Sequence, residues 1–499
     1  MPIPHEILAV ARPSNTVVIA YGKGKCLYGV RQRIGCRYID GRHLPVNGPT
    51  IGHILMGRYV PLEAEAMPSV AQSPVDLKDW ADIALSDSVF CSILIDLECI
   101  YAKDDAMKIY CIAVLRVCSA GIKDYELEDG YETSFLSEIH PGVALSRNTV
   151  SSFLNNLGRN CSRIAVFMKR RADAVGMDDH VLVDGTLKSN ESKVNSLSDF
   201  SRKAATKGTR DISLLYAFDL EKMEPICSKC FPGNMLDQTS YEAFISENGI
   251  VRGVIVADKG FPEKAADEYF AKHPSLHFLN PIKRNSKLIA SLKLQEFTSM
   301  LPGYDGVTCK KVWCEEQRRW LYAFRDSRRA SKEEHDWLLH ARKHDTYDFA
   351  VFSARQREFG TVVLESDLDL APEVIFKMYE RRWEIEIVMR YYKSACEFDE
   401  TRVQDDYSVI GSEFCDFLAT VLTFRLIHAF DKAGVLETMN YGKAMSILKR
   451  AKKARLPGQD WKLLRINPSH ERVLQSLGLL PQPEAVPMRK RGRPRKQHV

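Results

Sequence analysis

The residues best suited to chemistry lie in one short segment, Met378-Tyr379-Glu380-Arg381-Arg382-Trp383-Glu384-Ile385-Glu386-Ile387-Val388-Met389-Arg390-Tyr391-Tyr392-Lys393. Wound as a helix at about 100° per residue, Tyr379, Arg382, Glu386 and Lys393 fall within a stripe roughly 60° wide, and Ile385, Val388, Met389 and Tyr392 form a separate apolar stripe. One stripe therefore suits a core, while the other shows a carboxylate flanked by two permanent cations and a phenol. A carboxylate oxygen ligates a hard cation, and Arg and Lys donate to phosphate oxygens, so the set suits phosphoryl transfer. A solvated face laced with i,i+4 ion pairs uses the same residue types. Further acids are needed to separate the two readings.

Two further acids stand out. Asp184 closes the apolar run His180-Val-Leu-Val183 and Asp258 closes Gly253-Val-Ile-Val-Ala257, each with a glycine soon after. Taken singly, Asp-Gly after a strand is an ordinary turn. If the two strands are neighbours in a mixed sheet, however, their C-terminal ends bring both carboxylates together, and a later helix can carry Glu386 across. Three clustered carboxylates repel and call for divalent cations. Mg²⁺ or Mn²⁺ fits all-oxygen ligands, and two such ions about 3.5–4 Å apart would activate a water or a 3′-hydroxyl and stabilise the leaving oxygen.

The elements that must position these acids are legible in outline. Strand-like runs at 180–186, 212–219, about 225–230, 253–257 and 276–280, with helices over about 239–248 and 262–272, give a β-β-β-α-β-α-β order. Residues 284–370 break that alternation, with strands at 320–324 and 347–352 around a helix over 331–342, and read as a β-rich insertion subdomain. Two helices, over about 409–432 and 440–454, follow Lys393. The expected organisation is a basic β-rich element over 1–62, a helical, DNA-binding region over 76–175, a catalytic core over 176–283 and 371–456, the insertion over 284–370, and a tail over 481–499.

Composition points to a polyanionic partner. The chain has 499 residues, too many for one ordinary core, and a net charge of +5. Between Arg12 and Arg58 there are eight Lys or Arg (Arg12, Lys23, Lys25, Arg31, Arg33, Arg37, Arg42, Arg58) against one acid, Asp40. Arg202, Lys203, Lys207 and Arg210 form a second basic loop. Leu145 to Leu154 resembles the second helix of a helix-turn-helix, with Ser146 or Asn148 as a capping-type residue. The tail holds Arg491-Gly-Arg493-Pro, an extended form whose guanidinium groups fit a narrow A·T-rich minor groove and which resembles an AT-hook. No secretory signal opens the sequence, and acids or Arg interrupt its most apolar segments, so a cytoplasmic protein with no membrane contact is expected. The 13 cysteines, an odd number scattered through apolar runs, read as reduced.

These motifs together resemble the DDE transposases of bacterial insertion sequences, and within them the group marked by Y-(2)-R-(3)-E-(6)-K, the insertion-sequence-four type. Tyr379, Arg382, Glu386 and Lys393 meet that spacing, and Val-Asp184-Gly-Thr and Ala-Asp258-Lys-Gly-Phe look like the family's other two acids. Met389 stands near where the family usually has an aromatic, and Lys259 where it often has Arg. The resemblance covers about 180–430. It implies an α/β, RNase H-like mixed-sheet core with a β-rich insertion, Asp184, Asp258 and Glu386 as catalytic metal ligands for two Mg²⁺ or Mn²⁺ ions, and Tyr379, Arg382 and Lys393 on the DNA. It also implies double-stranded DNA partners, the transposon ends and the target, and a homodimer in the synaptic complex, in the bacterial nucleoid. Trp313, Trp320 or Trp337 could stack a flipped base. Rival readings are another RNase H-like nuclease and a non-catalytic DNA-binding derivative.

Overall fold

The computed structural model describes residues 3–21, 28–39, 42–62, 75–190, 192–200, 208–235, 237–257, 269–382, 400–401 and 403–482. The chain divides into two compact units: residues 1–76 with 455–461, and residues 77–454 with 462–499.

The smaller unit is built on a four-stranded antiparallel sheet: β1 (Thr16–Ala20), β2 (Tyr28–Ile39), β3 (Arg42–Leu55) and β4 (Arg58–Pro61), in that order. Val18, Val30 and Ile54 are its buried centre. The β2–β3 pairing slips at three places between Val30 and Gly35, then runs regularly from Gly35↔Val46 to Ile39↔Arg42.

The larger unit carries a ten-stranded mixed sheet. Its strands are β5 (His180–Ser189), β6 (Asp199–Phe200), β7 (Arg210–Asp219), β8 (Glu224–Pro232), β9 (Gly253–Ala257), β10 (Leu276–Pro281), β11 (Ser299–Met300), β12 (Val307–Cys314), β13 (Arg319–Asp326) and β14 (Thr361–Ser366). They lie in the order β11-β12-β13-β14-β10-β9-β5-β7-β6, with β8 also on β7. β9 runs parallel to both neighbours, β5 and β10; β7 is antiparallel to β5, and β14 antiparallel to β10. The run Val181-Leu182-Val183 and the run Val254-Ile255-Val256 are buried throughout, as central strands covered on both faces require. The strands within 284–370 prolong this sheet. The stretch 347–352, expected as a strand, instead enters the helix Phe349–Gln356, because Asp348 caps it by accepting from the Ala350 and Val351 N–H groups.

The Asp406–Lys432 helix crosses one face of the sheet. Phe417 stacks near Tyr216 of β7, and Phe424 near Phe218. The other side of that helix meets the Arg147–Arg159 helix at two glycines: a Cβ on Gly411 would lie 2.1 Å from the Leu154 carbonyl oxygen, and one on Gly158 1.8 Å from that of Tyr407. Only glycine at both positions lets the backbones touch. A single hydrophobic cluster runs from Trp80 through these helices into the sheet. Among the described residues, no helix is long and apolar enough to cross a membrane.

Candidate active site

β5 organises the site. Up to Val183 it is held on both edges, by β9 (Val183↔Ala257) and by β7 (Val183↔Ala217). From Asp184 to Lys188 the described residues pair it with β7 alone, so Asp184 stands at a rim where the parallel neighbour has reached Ala257. Such rims at the carboxyl ends of parallel strands are where open sheets bind ligands. Asp184 is half-buried, and its Oδ1 accepts the Gly185 N–H at 2.9 Å. Gly185 lies against Leu215, which a Cβ would approach to 3.1 Å.

Side chains alternate along a strand, so Asp184, Thr186 and Lys188 share a face. The Thr186 hydroxyl is buried with no hydrogen-bond partner among the described residues. Tyr241, on the Asp237–Glu247 helix, is held neutral by burial first and then by the nearby charge of Asp184. A carboxylate beside a buried, unengaged hydroxyl is an all-oxygen donor set, and it fits a hard divalent cation or its bound water. Among the described residues, no group of three or more His, Cys, Asp or Glu is arranged to hold a metal ion. Asp258 and Glu386 lie outside the described residues, as do Lys393, Arg202, Lys203, Lys207, Arg491 and Arg493.

Lys188 is fully enclosed. Its Nζ donates to Glu413 Oε2 at 2.7 Å and to Asp416 Oδ2 at 2.8 Å, both on the Asp406–Lys432 helix. Arg116, from the Lys103–Cys118 helix, donates to Asp416 Oδ1 at 2.7 Å and to Asp124 at 3.0 Å, and Thr401 donates to Glu413 Oε1 at 2.7 Å. Burial pushes the Glu413 carboxyl up against the pull of Lys188, whereas at Asp416 the two cations outweigh burial and hold it low. This cluster fastens the strand of Asp184 to the helix that covers it. The sequence signal was present, in the acids that break the apolar run from Val409 to Phe430.

The helix over 372–382 brings Tyr379 and Arg382 together. Both are buried; the Arg382 guanidinium lies 5.1 Å from the Tyr379 ring centroid and donates weakly to its hydroxyl at 3.5 Å. Their neighbour Arg381 pairs with Glu221 at 3.0 Å, and Glu221 also accepts from the His180 backbone N–H at 2.7 Å and Nδ1 at 2.5 Å. Burial opposes ionisation of Glu221, but these partners outweigh it and lower its pKa. The last described turn of the helix is thus tied to the start of β5. At the other end of β5, Ser189 bridges Glu400, and its carbonyl accepts the Thr401 N–H at 2.9 Å. Neither tether was visible in the sequence.

The other expected residues are placed as follows. Arg210 packs over the Phe200 ring at 5.1 Å and donates to the Ser198 carbonyl. Trp313 and Trp320 pair across β12 and β13 with ring centroids 5.2 Å apart, and Trp313 keeps 36% exposure. Trp337 packs against Tyr347 and Phe352.

The geometry defines a mixed α/β protein built on a large mixed sheet with a carboxylate at its parallel rim. Residues 176–407 match the family model described as a transposase DDE domain, which supports a DDE transposase. Among solved structures, the chain resembles a piggyBac transposase synaptic complex with hairpin DNA, determined by cryo-EM, at 12% identity and a TM-score of 0.38, over 74% of this chain and 79% of that one. So loose a likeness carries no argument. Comparison with curated proteins finds no match.

Proposed function

We propose that this chain is a DNA transposase of the DDE class, with an RNase H-like core, that binds the ends of its insertion sequence, cleaves them by metal-dependent hydrolysis and joins the 3′-hydroxyl ends to target DNA. The observation that carries the reading is the position of β5 as common partner. Val183 and Ala257 are paired in register, and each is bonded to an acid, Asp184 and Asp258. The segment 383–399, which contains Glu386, leaves a helix tied to the start of β5 and returns at residues bonded to its end. The place of Glu386 in the chain, between two segments tethered to the strand that carries Asp184, supports it as the third acid.

In this reading Asp184, Asp258 and Glu386 would hold two Mg²⁺ or Mn²⁺ ions, which when bound supply an activated water or 3′-hydroxyl and neutralise the leaving oxygen. Thr186 offers a further oxygen beside Asp184. Arg382, set by its stacking on Tyr379, and Lys393 grip phosphates of the element's end. Hydrolysis and strand transfer are one in-line substitution with different nucleophiles, so a single site serves both. Two ends must be processed together, which calls for a homodimer in the synaptic complex.

The test is incubation of the full chain with Mg²⁺ and linear duplex carrying the repeats that flank its own gene. Nicks at the repeat ends, and joined products from pre-cut ends, are expected; Glu386→Gln and Asp184→Asn should each remove cleavage by at least a hundredfold while leaving end binding nearly intact. Cleavage that survives in either variant sinks the assignment of that acid. Nicks without joined product would favour an RNase H-like nuclease instead.

A further inference from the structure

The β2–β3 hairpin of the smaller unit continues well past that unit's core. Val30 and Ile54 are buried, but every residue from Gln32 to Tyr38 is exposed, as are the facing His43, Leu44 and Pro45. Both faces of the ribbon are therefore open over about 20 Å. A two-stranded ribbon with no packed face gains little from folding alone, yet this one keeps large apolar groups in solvent: Tyr38 at 68%, Ile34 at 63% and Leu44 at 48% exposure. Beside them stand Arg33 and Arg37, and among the described residues neither has an acid as ion-pair partner.

We infer that this ribbon is a DNA-reading arm that lies in a groove of duplex DNA, with Arg33 and Arg37 on phosphates or base edges. The inference rests on the reading of the chain as acting on DNA and extends it to a surface outside the catalytic unit. The major groove, about 12 Å wide and 8.5 Å deep, admits two paired strands. From Gly35 onward alternation puts Arg37 and Leu44 on one face and Tyr38 and His43 on the other, with the last two rings 4.8 Å apart. Each face thus offers donors or cations beside an apolar surface, which suits phosphates alternating with sugars and thymine methyl groups.

The experiment measures affinity of the full chain for duplex DNA over a series of salt concentrations, with chelator present so that cleavage plays no part. Each phosphate neutralised contributes about 0.9 to the slope of log K against log salt. Arg33→Ala with Arg37→Ala should make that slope shallower by about 2 and weaken binding, whereas Arg33→Lys with Arg37→Lys should keep the slope. A wild-type chain that binds duplex, with an alanine variant of unchanged slope and affinity, overturns the arm. Tighter binding of single-stranded RNA than of duplex, abolished by the same variant, also overturns it. A wild-type chain that binds no duplex removes the transposase reading as well.

Discussion

Replacing Lys188 by Met tests whether the buried cluster acts as one electrostatic unit. The enclosed charges are Lys188 and Arg116 against Glu413 and Asp416, a balanced set whose shortest contacts are 2.7 and 2.8 Å. Lys188→Met leaves Glu413 and Asp416 inside with Arg116 alone, and removing one partner of a buried pair costs about 3–5 kcal/mol. Glu413→Gln keeps an acceptor for Thr401 and mimics the protonated form that burial already favours, so its own cost should be smaller, roughly 1–2 kcal/mol. The double variant restores the balance of charge. Its loss should fall short of the sum by about 2 kcal/mol or more, well beyond the roughly 0.5 kcal/mol of ordinary additivity. Urea unfolding followed by circular dichroism on the four proteins gives the cycle. Additive losses would refute the account, leaving Lys188 and Glu413 as independent packing residues.

Two predictions concern stability elsewhere. Gly411→Ala should lower stability by about 1–3 kcal/mol or more, because its Cβ would overlap the Leu154 carbonyl and force the Arg147–Arg159 helix away; an unchanged melting temperature would remove the close crossing. Asp82 is almost wholly buried, and burial, followed by repulsion from Asp79, pushes its pKa to about 6. The folded form then binds more protons than the unfolded one between about pH 4 and 6, so stability falls as pH rises through that window, by roughly 3 kcal/mol. Asp82→Asn should flatten that decline and be the more stable protein at pH 7, as read from melting curves across pH 4–7; parallel curves would refute it.

The apolar runs that became β5 and β9 were legible because strands buried on both faces need unbroken aliphatic sequence, and the acids that close them were conspicuous for the same reason. Their register was not, since the pairing of Val183 with Ala257 leaves no trace in composition. The stripe of Tyr379 and Arg382 was readable as a spacing, but not its burial: a solvated helix face and a guanidinium packed on a phenol have the same sequence signature. The role of Asp348 is not legible, because Phe349-Ala-Val-Phe352 reads equally as a strand, and only the cap decides for a helix. The pairings of Arg381 with Glu221 and Ser189 with Thr401 join residues far apart in sequence, and no local pattern predicts them.

Pro281 and Leu364 are strand partners, and the Ile282 N–H donates to the Val363 carbonyl at 2.8 Å. The chain therefore departs from β10 and returns beside it in β14 some eighty residues later, after β11, β12 and β13 have extended the sheet. Everything in that excursion is a side branch whose two ends are clamped together, so its length and content can drift while the acid-bearing strands keep their alignment. An insertion or deletion there need not shift the rim where Asp184 stands.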